Sequence, residues 1–258
     1  MPSEENIGNM LALTHYKSNC DSASPALAKR RILYVMRAIE HPRVKICCIS
    51  SREEARMAID CGASAVGLVS AMPSGPGVIP EEQIADIAAS VPPPIATFLL
   101  TSKQDAESII AQQRRCRTNT IQIVDRFLGS YKELRVALPG ISIVQVVHVT
   151  GEESVREAIA IAAHVDALLL DSGNPMLATK VLGGTGRRHN WALSRRIREQ
   201  IDIPIFLAGG LNPDNVHEAV LEVGPFGLDV CTGVRSEGKL DEEKLRALFA
   251  SLNVTQTC

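Results

Sequence analysis

The sequence is poor in aromatic side chains. Five Phe, three Tyr and one Trp make up 3% of 258 residues, which leaves few platforms for stacked bases. An excess of positive charge is missing too. Lys and Arg number 27 against 29 Asp and Glu, a formal net charge of -2, without the electrostatic footprint of a nucleic-acid binder. No apolar run approaches the ~18 residues of a membrane span, and Met1 to Ser24 has no continuous apolar stretch of the signal-peptide kind. Cysteines stand at 20, 47, 48, 61, 116, 231 and 258, an odd number with no C-x-x-C spacing. This argues against a disulfide framework or a structural zinc site and for reduced thiols, hence a cytoplasmic protein. What remains, 45% apolar and 22% charged residues, is the composition of a globular fold.

Residues 1–42 differ from the rest. They are polar at first, and Ala26 to Ile39 then reads as a helix whose Lys29-Arg30-Arg31 cluster is most simply a solvated face. We expect a partly helical N-terminal extension ahead of one domain spanning 43–253. From residue 43 a rhythm begins. Predicted strands run 44–49, 65–69, 95–100, 120–124, 141–147, 167–170, 203–207 and 227–230, with helical spacing between them. Ser51 with Glu54, and Thr150 with Glu153, are capping-box pairs. Asn212-Pro213 places a capping residue before a Pro at a first helical position. Gly62, Gly140 and Gly224 stand where left-handed helix caps are needed. Near-continuous apolar strands belong to sheets covered on both faces, and their alternation with helices gives right-handed βαβ units. An open doubly wound sheet and a closed barrel both fit; eight units favour a (βα)8 barrel. Few aromatics suit an interior layered from Val, Ile and Leu.

A barrel carries its site at the C-terminal ends of its strands. The candidates there are Cys47 and Cys48, the stretch 70–78, Asp125 and Arg126, Asp171, and glycines in three successive loops: Gly183-Gly184-Thr185-Gly186, Gly209-Gly210, and Thr232-Gly233. Glycine lets the backbone approach an anion closely, so these loops are expected to converge on a phosphate; each glycine alone reads as well as a turn residue. Lys45 and Cys47 lie on one face of a strand, where an inward Lys45 would favour the Cys47 thiolate. Asp171 is the matching acid if burial raises its pKa. Position alone leaves a second reading open, with Cys47 a small buried residue and Asp171 a helix cap.

Lys45-Ile46-Cys47 with Ile49 and Asp60-Cys61-Gly62-Ala63 resembles the opening of the phosphoribosylanthranilate isomerases of tryptophan biosynthesis. The resemblance continues through Leu169-Leu170-Asp171-Ser172, Gly183 to Gly186 and on to Trp191, Leu207 to Val216, and Leu228-Asp229-Val230 with Thr232-Gly233-Val234. It implies a (βα)8 barrel and a cofactor-free, metal-free Amadori rearrangement of N-(5-phosphoribosyl)anthranilate. In such enzymes an Asp at the position of Asp171 protonates the ring oxygen. A Cys at the position of Cys47 then removes the C2 proton. The phosphate would rest on amides around Gly184, Gly186, Gly210 and Gly233. The histidine-pathway barrel isomerases fit less well, because they carry Asp at the position of Cys47.

The departures concern the other end of the substrate. The family has Gly at Cys48, a Ser-x-Arg motif where this chain has Ser74-Gly75-Pro76-Gly77, Gln-Leu-His-Gly where it has Gln122-Ile123-Val124-Asp125, and an acidic residue at Arg235. Pro76 thus replaces the Arg expected to grip the carboxylate. Losing such a contact costs about 1.5–3 kcal/mol. Lys45, Ser74, Gln122, Arg126 and Arg235 are the candidate substrate contacts. Arg126 is a candidate replacement cation, although a plain surface arginine reads as well. Isomerisation of another phosphosugar amine, or silent binding of a phosphorylated metabolite, remains open. No nucleic acid or membrane partner is expected, and the chain is expected to be a monomer or homodimer.

Overall fold

The structure is a computed structural model that describes residues 42–173 and 189–253. The predicted extension, including the 26–39 helix, and the Gly183 to Gly186 loop lie outside these residues, apart from Pro42. The strands are β1 (Arg43–Ile46), β2 (Ala65–Val69), β3 (Ala96–Thr101), β4 (Thr120–Ile123), β5 (Ser142–His148), β6 (Ala167–Asp171), β7 (Ile205–Leu207) and β8 (Gly227–Val230). All are parallel, and β1 pairs with both β2 and β8, closing the barrel. The helices between and after them are α1 (Arg52–Asp60), α2 (Glu81–Ser90), α3 (Ala106–Cys116), α4 (Tyr131–Ala137), α5 (Glu152–Ala162), α6 (Trp191–Gln200), α7 (Val216–Val223) and α8 (Glu242–Leu252). A short hairpin, β9 (Arg235–Ser236) with β10 (Lys239–Leu240), leads into α8. The (βα)8 expectation holds.

Local chemistry explains most boundaries. Ser51 Oγ accepts from the Glu54 amide at 3.1 Å, opening α1. Asp105 caps α3 through the Ser108 amide, Asn190 caps α6 and Asp241 caps α8. Two predicted caps are corrected. The Thr150–Glu153 box does not form: Gly151 holds the cap position, and Ser154 Oγ accepts from the Thr150 amide instead. Asn212 does not start a helix directly. Its Oδ1 accepts from the amides of Asp214 and Asn215, forming a turn, and α7 begins after Asn215. β1 is shorter than predicted because the backbone reverses at Cys48, with φ 64°.

Side chains sort by strand parity into two cores. Outward residues such as Ile46, Leu68, Leu99, Ile121, Val147, Leu170 and Leu228 pack against the helices. Inward residues fill the barrel, and here the expectation of a mainly Val, Ile and Leu interior needs correction. Phe98 and Phe206 meet edge to face at 5.8 Å, and Phe206 meets Phe226 at 5.7 Å. Three of the five phenylalanines thus gather in the barrel interior. Lys45 lies above Phe98, its Nζ 5.2 Å from the ring centroid.

Gly67, inward on β2, makes room for that lysine. A Cβ there would stand 2.9 Å from Cys47 Sγ and 3.0 Å from Lys45 Nζ. Gly67→Ala is therefore expected to destabilise the fold by about 1–3 kcal/mol through overpacking, read as a lower urea midpoint at unchanged m-value.

Candidate active site

A cavity opens at the C-terminal ends of the strands. Cys47, Cys48, Gln122, Asp171, Gly210 and Thr232 are in its wall. Strands β1, β4, β6, β7 and β8, or the loops after them, deliver these groups, so barrel closure brings them together.

Cys47 follows β1 and is 5% exposed. A hydrogen bond with Cys48 lowers its thiol pKa; burial opposes this, and the nearby Lys45 ammonium lowers it further, so the balance lies below the ordinary value. Lys45 has no exposed surface and binds Asp229 Oδ1 at 2.6 Å. Burial alone would weaken its charge, but Asp229 and Cys47 outweigh burial and keep it firmly protonated. Lys45 lies outside the cavity wall, whereas Asp229 is part of it. The influence of Lys45 on a ligand therefore passes through Cys47 and Asp229, in place of the direct contact expected.

Cys48 occupies the left-handed region, where a side chain is strained. A glycine at this position has no such penalty. The Cys48 thiol donates to the Pro76 carbonyl at 3.6 Å. Hydrogen bonds with Cys231 and Cys47, together with burial, keep the Cys48 thiol protonated. The two departures noted above, Cys48 and Pro76, therefore touch each other.

Arg235 is corrected from candidate substrate contact to clamp. It is 9% exposed. Its Nη1 donates to Glu54 Oε1 and to the Gly238 carbonyl, both at 3.0 Å. Its Nη2 donates to the carbonyls of Cys48 at 2.6 Å and Cys47 at 3.3 Å. Glu54 in turn accepts from the amides of Ser50 and Leu240. The guanidinium thus holds the turn that aims Cys47 and is already engaged.

Asp171 ends β6, 6% exposed, with His148 of β5 opposite in register. Burial raises its carboxyl pKa. His148 and the amides of Ser172 and Gly173 pull it down, Asp229 pushes it up, and the balance is upward. His148 Nε2 meets the Val124 carbonyl at 3.0 Å, while its buried Nδ1 has no partner among the described residues. Gln122, 3% exposed, has an unpartnered Oε1 in the same sense.

Gly209, Gly210 and Thr232 share the wall with Asp171. Gly209 and Gly210 both have positive φ, 86° and 68°. At Gly233 a Cβ would collide with the Leu211 carbonyl, so the loops after β7 and β8 interlock. Two of the three predicted phosphate loops thus lie together; Gly183, Gly184, Thr185 and Gly186 are outside the described residues. Ser74 lines the cavity. Arg126 is exposed and does not. Among the described residues no Lys, Arg or aromatic ring is in the wall. Four participants were not singled out as site residues from sequence: Asp229, His148, Glu54 and Cys231. Inward parity on β8 marks Asp229, and the rim end of strand 5 marks His148. Glu54 and Cys231 become visible only once β1, β8 and the hairpin are side by side.

The family model for N-(5'phosphoribosyl)anthranilate (PRA) isomerase matches residues 44–251. The chain belongs to this family. It is 35% identical over 206 residues to N-(5'-phosphoribosyl)anthranilate isomerase 2 of Methanosarcina mazei, covering 79% of this chain and 90% of that one. It is 35% identical over 214 residues to the isomerase of Microcystis aeruginosa, covering 81% and 97%. The crystal structure of phosphoribosyl anthranilate isomerase from Thermotoga maritima superposes with a TM-score of 0.69 at 28% identity, over 82% of this chain and 98% of that one. A phosphoribosyl anthranilate isomerase in complex with reduced 1-(o-carboxyphenylamino)-1-deoxyribulose 5-phosphate superposes at 0.67 with 26% identity, over the same shares.

Arg235→Met is expected to destabilise the isomerase fold by about 3–5 kcal/mol, because it leaves the largely buried Glu54 uncompensated. Adding Glu54→Leu is expected to recover part of that loss. A double-mutant cycle in urea measures both.

Proposed function

We propose that this family member catalyses the cofactor-free rearrangement of N-(5-phosphoribosyl)anthranilate to the 1-deoxyribulose 5-phosphate product, with Asp171 as general acid and Cys47 as general base. One observation carries the reading: a single cavity holds a thiol pushed toward its charged form and a carboxyl pushed toward its neutral form. Opposed shifts within one site are how acid and base roles are divided at one pH. The related structure with a bound carboxyphenylamino-deoxyribulose phosphate supports a small phosphosugar ligand.

Asp171 gives its proton to the furanose ring oxygen. The C1–O bond breaks as nitrogen supplies its lone pair, leaving an open-chain iminium. The Cys47 thiolate takes the C2 proton, and the C–H electrons form the C1–C2 double bond of an enolamine. Tautomerisation to the ketone completes the isomerisation without a redox partner. Lys45 stabilises the thiolate from below. Amides around Gly210 and Gly233 hold the phosphate, together with Gly209, Thr232 and the Gly183 to Gly186 segment. Gln122 and Ser74 face the organic part of the substrate. The described part of the wall carries no Lys or Arg, which favours a second reading, isomerisation of a phosphosugar amine without a carboxylate.

Complementation of a strain lacking the tryptophan-pathway isomerase separates these readings: growth is expected, and its absence with soluble protein present supports the second. Cys47→Ser and Asp171→Asn are each expected to lower kcat by roughly 10²–10⁴ while retaining the wild-type melting temperature. Activity rises with pH as Cys47 deprotonates and falls as Asp171 deprotonates. The Asp229 charge disfavours a negative charge on both groups. Asp229→Asn also removes the counter-charge of Lys45, so its clean effect is on Asp171: the descending limb of the kcat/KM profile is expected to move toward lower pH.

A further inference from the structure

Three thiols meet at the cavity mouth, and the isomerisation uses one of them. Cys47 and Cys231 follow the paired residues Ile46 and Val230 on adjacent strands, and the Cys47 amide donates to the Val230 carbonyl at 2.8 Å. Cys48, turned back by its positive φ, is beside both in the same wall, its thiol donating to the Pro76 carbonyl. All three line the cavity, and all are reduced. Cys48 also has a cost. A non-glycine residue in the left-handed region is disfavoured, and no step of the isomerisation needs its thiol.

We propose that Cys48 and Cys231 are a reversible oxidation site: a hydroperoxide reaching the cavity is consumed and leaves a Cys48–Cys231 disulfide beside the base. The proposal needs the three thiols and does not depend on the isomerase reading. The Cys47 thiolate attacks the peroxide. An S–O bond forms, the O–O bond breaks, and the departing oxygen leaves as water or alcohol after taking a proton. The Cys48 thiol then attacks the Cys47 sulfenic sulfur; an S–S bond forms and the hydroxyl leaves as water. The resulting bond between neighbours closes a small, strained ring. Cys231, in the same wall, relieves it by attacking the Cys48 sulfur and expelling Cys47. A thiol of lowered pKa leaves readily, and the Cys47 thiol is lowered. Two thiols have lost two electrons and two protons, the peroxide has accepted them, and Cys47 returns as thiolate. A second peroxide would otherwise carry Cys47 sulfenic acid to the irreversible sulfinic acid. Cys61 and Cys116 are internal controls, since burial raises both of their thiols and pushes Cys116 up to about 12.

The full chain, treated with hydrogen peroxide and then alkylated, is digested without reductant and its peptides are mapped. The expected product links the Cys48 and Cys231 peptides, leaves Cys47, Cys61 and Cys116 alkylated, and reverts with a dithiol reductant. Activity after reduction should return to that of untreated enzyme. Cys231→Ser, compared with its own untreated control, should accumulate sulfinic Cys47 and lose activity several-fold faster in a way reductant does not restore. Wild-type enzyme carrying sulfinic Cys47 while Cys48 and Cys231 remain alkylated overturns the proposal, as does a disulfide that stops at Cys47–Cys48. If Cys231→Ser fails to fold, the wild-type map decides alone.

Discussion

The buried ion pair between Lys45 and Asp229 is the constraint around which the barrel interior is arranged. An ammonium taken wholly out of water is tolerated only with a close counter-charge and further contacts. Here Asp229 supplies the charge at 2.6 Å, the Phe98 ring supplies a negative face, and Gly67 supplies the space. In return, the pair sets the field that the cavity feels. Its positive end lies near Cys47 and favours the thiolate. Its negative end is near Asp171 and helps keep the carboxyl neutral. One ion pair thus biases two titrations in opposite chemical senses, and closure of β8 against β1 makes it possible.

Above it, the turn after β1 is held by parts distant in sequence. Arg235, from the hairpin after β8, ties the carbonyls of Cys47 and Cys48 to Glu54 at the start of α1. The helix-capping residue, the hairpin and the candidate base form one connected network. Arg235 and its partner Glu54 are complementary in charge. Cys48 and Pro76 form a comparable couple on the cavity side.

The repeating architecture was legible in the sequence because each strand is a short apolar run and each helix carries its own caps. Cys47 and Asp171 were legible because strand ends in a barrel share one rim. Gly210 and Thr232 followed from the same rule. The misreadings have a common cause. Arg235 and Lys45 looked like ligand contacts because a lone charged residue near a rim invites that reading, while their counter-charges lie 181 and 184 residues away in the chain. The Thr150–Glu153 cap failed because Ser154, one residue later, reaches the same amide. The phenylalanine cluster was hidden by composition: 3% aromatic content says nothing about where the rings gather.

That cluster has a geometric consequence. Phe98, Phe206 and Phe226 fill the barrel interior, and Lys45 rests on Phe98 with no exposed surface. Among the described residues, the rings and the ion pair stand beneath the cavity, which opens at the C-terminal ends of the strands with Cys48 and Cys231 in its wall. A substrate that enters from that end leaves by the same end, so the rearranged sugar has to depart before the next molecule can enter.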